Sequence, residues 1–188
     1  MEFAYTAEQE DLIRTLRAFG RKELAPRSRE WDRTGELDRN VVRQMGELGL
    51  LGLRVPAEYG GQETDLLTMG MAVEEIARAD FGSTSPLQSA GLVGGIVGKN
   101  GTEEVKRRWL PPVVRGEAIV ALALTEPGVG SDAANLACRA ERSGDEYVIT
   151  GEKSGITFGM TAEATILFAR TGAAAKARGV TAFLVARD

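Results

Sequence analysis

Two short stretches combine hydroxyls and glycines at spacings that suit ligand binding. The first is Leu122–Asp132, LALTEPGVGSD, which follows the apolar run Ala118–Ala123. Thr125 and Ser131 offer neutral hydroxyls. Gly128 and Gly130 present backbone N–H groups with no Cβ in the way, which is how a loop cradles phosphate oxygens. The stretch is not a dinucleotide fingerprint, because Gly128-Val129-Gly130 lacks the third glycine and no amphipathic helix follows. Nor does it end in the Gly-Lys-Ser/Thr of a phosphate-binding loop. From these residues alone a plain strand-to-loop connection is the simpler reading. The second stretch is Thr150–Gly159, TGEKSGITFG. A strand ends at Gly151, and Ile156-Thr157-Phe158 resumes β character, so it reads as a β-hairpin whose Thr157 hydroxyl can face a ligand.

Other chemistries are excluded by what the chain lacks. With no histidine among 188 residues, neither a Ser-His-Asp site nor histidine metal ligation can be built, and no metal site is expected. Cys138 is the single cysteine, so no internal disulfide or Cys-x-x-Cys pair exists; a buried, inert thiol is expected there. Glu126, Asp132, Glu141, Asp145 and Glu152 form no recognisable acid–base pair, and most are expected to be solvated, as are Glu74 and Glu75 on the polar face of a helix. The net charge is −4 with no basic tract, which gives nucleic acid no electrostatic footprint. No apolar run approaches the ~20 residues of a membrane span. The acidic start MEFAYTAEQED resembles neither a signal nor a transit peptide, so a cytoplasmic location is expected.

The elements that must position the two stretches fall into two classes. Thr6 with Gln9 forms a capping-box pattern, and Leu12, Ile13, Leu16 and Phe19 follow at helical spacing. This helix is expected to stop at Leu24-Ala25-Pro26, because the residue before proline is pushed out of the α region. A second helix is predicted from about Asp38, with Val41, Val42, Met45 and Leu48 buried and Gly49 as its stop. Leu48–Asp65 reads as a loop. A third helix over Leu66–Ala79 buries Met69, Val73 and Ile76. A fourth, roughly Leu87–Gly98, carries Gly91, Gly94, Gly95 and Gly98, at about 1 kcal/mol each against alanine; close packing and an adjacent ligand are both open. A short helix starts at Thr102 and is closed by Pro111-Pro112. Strands are predicted over Glu117–Leu124, Asp145–Gly151, Ala164–Thr171 and Gly179–Ala186, with a hairpin loop at Gly172–Gly179. The fold expected is therefore α+β: a helical domain over residues 1–115, then an antiparallel β domain over 116–188. Four or five strands leave an open sheet with edges to cover.

Together, and in this order, the two stretches resemble the acyl-CoA dehydrogenase family. The family signature is a small residue, an aliphatic, Thr/Ser, Glu, two free positions, a small residue, Gly, Ser/Thr and Asp. It is matched by Ala123-Leu124-Thr125-Glu126-Pro127-Gly128-Val129-Gly130-Ser131-Asp132. ELAPRSREWD, ELGLLGLRVPAEYGG, EEIARAD, GTEEVKRRWLPPVVRGE and GEKSGIT are further family-like segments in the expected order. The resemblance implies an N-terminal helical domain, a middle β domain and a C-terminal helical bundle, with FAD between the last two. It implies that Leu122, Ala123, Leu124 and Thr125 line the flavin ring edge, that Gly130 and Ser131 meet its phosphate side, and that Ser131 also lies near the acyl-CoA. Gly155, Ile156 and Thr157 would approach the ring from the second stretch, with Thr157 near flavin N5.

The sequence departs from the pattern at Val129 and Asn135, and at Gly155, where many members carry a tryptophan; Phe158 is the residue able to fill that space. It is also short. The resemblance implies that part of the β domain, the C-terminal bundle and the glutamate base lie outside this chain, so no catalytic residue is assigned within it. The expected activity is that of the N-terminal part of an enzyme oxidising an acyl-CoA to a 2-enoyl-CoA, with electrons passing to an electron-transfer flavoprotein. Alone, the chain is expected to be inactive and to bind FAD weakly or not at all. The alternatives are a non-catalytic or split subunit needing a partner chain, and a flavin monooxygenase of the same fold; the protein partner expected is a complementary chain or a second copy in a homo-oligomer.

Overall fold

The computed structural model describes residues 4–172 and 176–187. The chain divides into two compact units, residues 1–118 and 119–188.

The first unit is helical: α1 (Ala7–Phe19), α2 (Ser28–Thr34), α3 (Arg39–Glu47), α4 (Leu66–Ala79), α5 (Thr84–Asn100) and α6 (Glu103–Val114). Thr6 and Gln9 form the capping box, each side chain bonded to the other's backbone N–H at 3.2 and 3.0 Å. α1 continues as a π turn over Gly20–Leu24, closed by the Ala25 N–H bond to the Gly20 carbonyl at 2.9 Å. The helical run stops at Leu24, as expected, but Ala25 itself stays in the right-handed helical region, so exclusion of the residue before Pro26 is not what stops it. The proline ring disfavours that region without forbidding it, and the bond to Gly20 holds Ala25 there. α2 was not foreseen. None of its residues is buried, so it has no apolar period to detect.

α3 is positioned by Asp38, whose carboxylate accepts the Asn40 N–H at 2.8 Å. Val41, Val42 and Met45 are buried as predicted, while Leu48 is 40% exposed because the helix ends just before it, at the left-handed Gly49. Asp38→Ala should cost about 1 kcal/mol by removing this cap, readable as a lower urea midpoint; an unchanged midpoint would contradict the role. The stretch read as a loop after Leu48 forms two short 3₁₀ turns and buries Leu50, Leu51, Leu53 and Val55.

α4 has the predicted bounds. It buries Met69 and Ile76 with Met71 and Ala72, and leaves Val73 half-buried. Glu75 corrects the solvated reading. It is 5% exposed and holds the Arg17 guanidinium at 2.8 and 2.9 Å, whose hydrogen bonds outweigh burial and keep its carboxyl below the usual range. Glu74 does lie on the exposed face, paired with Arg78. On α5, a Cβ on Gly91 would stand 2.8 Å from Met69, on Gly94 2.6 Å from the Arg54 carbonyl oxygen, and on Gly98 3.0 Å from Pro56; only Gly95 faces open space. Packing, then, accounts for three of the four glycines. α6 does not stop at its prolines. Pro111 and Pro112 lie inside it, and the helix runs to Val114 before Gly116 turns the chain. Proline's fixed φ is compatible with a helix, but each interior proline removes a backbone donor and sets its ring against the carbonyl four residues back; Leu110, Val113 and Val114, buried around them, hold this last turn in place.

The second unit is one five-stranded sheet: β1 (Val120–Ala123), β2 (Arg139–Ser143), β3 (Glu146–Thr150), β4 (Ala164–Arg170) and β5 (Val180–Ala186). Its class is as expected, but the sheet is mixed rather than antiparallel. β4 pairs antiparallel with β5 along its whole length and parallel with β1 through Val120–Ala123 against Ala164–Leu167. β2 pairs antiparallel with β3 and meets β4 in parallel at Arg139–Arg170. The long segment between β1 and β4 allows the parallel pairing, since a hairpin cannot. β2 was not foreseen: of RAERS, only Ala140 is buried. Leu136, Cys138, Ala140 and Ala169 form one buried cluster of this unit, flanked by Leu124, Val129, Ile149, Leu167, Phe168, Val180 and Phe183. Of the expected hairpin loop at 172–179, residues 173–175 lie outside the described residues; Lys176–Gly179 is a 3₁₀ turn. Among the described residues no helix is long and apolar enough to cross a membrane.

Candidate functional site

β1 delivers the first stretch. Its alternation buries Ala121 and Ala123 and leaves Leu122 and Leu124 half-buried. The strand then ends in a tight turn in which Glu126 and Val129 exchange both backbone hydrogen bonds at 3.0 Å. Pro127 presets the first central position. Gly128 has no positive φ, and a Cβ on it would meet nothing within 4 Å. Beyond the turn, Gly130 and Ser131 are exposed, and Asp132 accepts from the Asn135 side chain and backbone.

The second stretch is not a hairpin. After Gly151 the chain makes turns over Gly155–Thr161, with no strand until β4. Two observations explain this. Gly155 is left-handed, at φ +63°, where glycine alone is unstrained. Phe158 is also left-handed, at φ +62°, and two backbone bonds to its carbonyl, from Thr161 at 2.9 Å and Ala162 at 2.8 Å, hold it. A bulky residue in that conformation stores strain of a kind that gathers at ligand sites.

The two stretches meet. The Ser154 N–H donates to the Thr125 carbonyl at 3.0 Å, and Lys153 locks the junction from beneath. Its ammonium donates to the Leu124 carbonyl at 3.0 Å and to Glu126 Oε1 at 2.8 Å. The Glu126 carboxylate takes two more hydrogen bonds, from the Ala137 N–H at 2.6 Å and the Cys138 N–H at 2.9 Å. Both side chains are buried, at 8% and 5% exposure. Burial alone would push the Glu126 carboxyl up; Lys153 and the two N–H groups outweigh it and hold the carboxyl below the usual range. Cys138 is buried, and that burial pushes its thiol up. Glu126 is thus a tie between three segments rather than a solvated charge. Neither Glu126 nor Lys153 was singled out from sequence as structural. The available signal was a glutamate fixed between Thr125 and Pro127, with a lysine two residues past a glycine-ended strand.

Of the sequence-selected residues, Thr125, Gly130, Ser131, Gly155 and Thr157 are exposed, Leu122, Leu124 and Ile156 are half-buried, and Ala123 is buried. The hydroxyls of Thr125, Ser131 and Thr157 make no hydrogen bond within the protein among the described residues. A Cβ on Gly130 or Gly155 would meet nothing within 4 Å. Exposed neutral donors beside open backbone leave this surface accessible to a ligand.

Residues 6–117 match the acyl-CoA dehydrogenase N-terminal domain, and residues 121–188 match that family's middle domain. The chain belongs to the acyl-CoA dehydrogenase family. Among relatives in the family, a probable acyl-CoA dehydrogenase of Bacillus subtilis, YngJ, is 41% identical over 174 residues, covering 92% of this chain and 46% of its own. Butyryl-CoA dehydrogenase from Megasphaera elsdenii superposes with a TM-score of 0.88 at 34% identity, over 99% of this chain and 50% of its own. PigA, solved as an FAD complex, superposes at 0.91 with 25% identity, over 100% and 50%. The chain spans about half the length of the curated relatives it matches.

Proposed function

We propose that the strand unit supplies one wall of an FAD site in an enzyme that oxidises an acyl-CoA to its 2-enoyl-CoA. The observation that carries the reading is the Ser154–Thr125 bond, which joins the two hydroxyl-bearing stretches while Thr125, Ser131 and Thr157 stay exposed. FAD, when bound, supplies the hydride acceptor. The half-buried face of Leu122 and Leu124 would receive the ring edge, and Ile156 would cover it from the second stretch. Thr125 and Thr157 would donate hydrogen bonds to the ring, and Gly130 and Ser131 would meet the phosphate side. These donors are neutral, so they stabilise negative charge without adding a titrating group. Ser131 would also orient the acyl-CoA. Electrons would leave to an electron-transfer flavoprotein. The α-proton needs a base, and no side chain of this chain is given that role.

Thr157→Val tests the reading. Losing one hydrogen bond should weaken FAD binding by about ten-fold, seen in a fluorescence titration at high FAD, with an unchanged circular-dichroism melt. Equal affinity in the two proteins would contradict the role of Thr157.

A further inference from the structure

The function proposed above gives Lys153 no part in ligand binding, yet its buried ammonium is bonded to the backbone of the first stretch. We infer that Lys153 is a positioning residue: with the Ser154 backbone it clamps both peptide groups that flank Thr125, and so sets where the Thr125 donors stand and how strongly they donate. Only the identity of the ligand that these donors meet rests on the flavin reading.

Orientation comes first. The Leu124–Thr125 peptide is held at its carbonyl by the Lys153 ammonium at 3.0 Å. The Thr125–Glu126 peptide is held at its carbonyl by the Ser154 N–H at 3.0 Å, and its own N–H donates to the Val129 carbonyl at 3.0 Å. Two consecutive residues of the second stretch therefore fix the planes on either side of the Thr125 Cα. Each peptide plane is rigid, so these bonds leave the two backbone dihedrals of Thr125 little freedom, and its Cβ takes its direction from them.

Donor strength follows from the same bond. No peptide among the described residues is cis, and in a trans peptide the carbonyl and the next N–H point in opposite directions. The Leu124 carbonyl faces the buried ammonium, so the Thr125 N–H faces away from it. Thr125 is exposed, and its N–H has no partner among the described residues. A charge-assisted bond at the carbonyl polarises the peptide and strengthens the free donor at its other end. Glu126 balances the Lys153 charge from 2.8 Å, and is itself held by the Ala137 and Cys138 N–H groups. The pair thus places no net charge beneath the site. What reaches the surface is a fixed, polarised dipole, which suits an acceptor atom of the ligand.

A pair that only stabilised the unit would make ligand affinity follow stability, and the test separates the two. Glu126→Gln combined with Lys153→Met removes both charges together, so neither is stranded. The chemical shift of the Thr125 amide nitrogen, read by NMR, reports the bond at the preceding carbonyl. It should move upfield in the double variant, and return toward its original place in Lys153→Arg, whose guanidinium still donates to the Leu124 carbonyl. FAD affinity, titrated by fluorescence where circular dichroism shows both proteins fully folded, should fall roughly five-fold in the double variant, within the worth of one hydrogen bond. An unmoved Thr125 nitrogen, or a folded double variant that binds FAD as tightly as the wild type does, would overturn the positioning role. If the double variant does not fold, the wild type decides: a coupling across the hydrogen bond from Lys153 Nζ to the Leu124 carbonyl carbon is expected, and its absence contradicts the clamp. The NMR readouts need no flavin. A wild type that does not bind FAD therefore defeats the flavin reading and leaves the clamp to be judged on its own.

Discussion

Glu126→Ala is expected to lower the stability of the strand unit by roughly 3–5 kcal/mol, the range for stranding one partner of a buried ion pair. Lys153 would be left charged and buried beneath the site, and the Ala137 and Cys138 N–H groups would lose their acceptor. Three segments would lose their common tie. Glu126→Gln keeps the shape but turns one oxygen into a donor facing donors, so it should recover only part of the loss. Lys153→Met added to Glu126→Gln removes the stranded charge, and the double variant should lose less than the two singles summed. The sign with pH follows from the depressed carboxyl. Its folded pKa lies below its unfolded value, so its contribution is complete above the unfolded value and is lost as pH falls through the folded one. Urea titrations at neutral and acid pH measure this. A loss under about 1 kcal/mol for Glu126→Ala would show that the tie is dispensable.

The second large effect is expected at Gly151. A Cβ there would stand 2.7 Å from the Cys138 Cα and 2.8 Å from its Cβ, and the residue adopts φ +153°. Neither neighbour is the end of a flexible side chain, so backbone must move. Overpacking and backbone strain together should make Gly151→Ala cost roughly 3 kcal/mol or more. The displaced residue is Cys138, whose N–H anchors Glu126, so the damage spreads to the same tie. Gly128→Ala is the control. Its Cβ meets open space and its φ is ordinary, so it should shift stability by no more than about 0.5 kcal/mol. Equal urea midpoints for the two alanine variants would contradict the close approach of Gly151 to Cys138.

The parts of the fold that could be read from sequence are those where the pattern has one dominant cause. Asp38 with the Val41, Val42, Met45 stripe gives both a cap and a period, and α3 follows from them. The β-branched runs of β3, β4 and β5 likewise announce strands. What escaped was set by partners far along the chain. α2 buries nothing, so its helical period carries no hydrophobic mark. β2 is mostly charged, and its pairing with β3 and β4 supplies what its own composition does not. Pro111 and Pro112 look like a stop, yet proline dihedrals are helical. Glu75 reads by its charge as a solvated helix residue, and its burial depends on Arg17, 58 positions away.

The candidate site shows the same division. Thr125, Ser131, Thr157 and Gly130 could be chosen from hydroxyls and glycines, and the family resemblance added Leu122, Ala123, Leu124, Gly155 and Ile156. The turn geometry of Gly155–Thr161 was misread as a hairpin, because φ at Gly155 and Phe158 is a three-dimensional fact. The Glu126–Lys153 tie was also invisible. A charged pair reads as two solvated residues until the chain brings them together over 27 positions.

Hydrogen exchange of the protein with and without millimolar FAD tests the flavin reading most directly. That concentration offsets weak binding by mass action. Slower exchange confined to Leu122–Ser131 and Ser154–Phe158, and absent from the Arg139–Arg142 strand, is the result expected. Unchanged exchange in both stretches, or protection appearing only elsewhere, would contradict it.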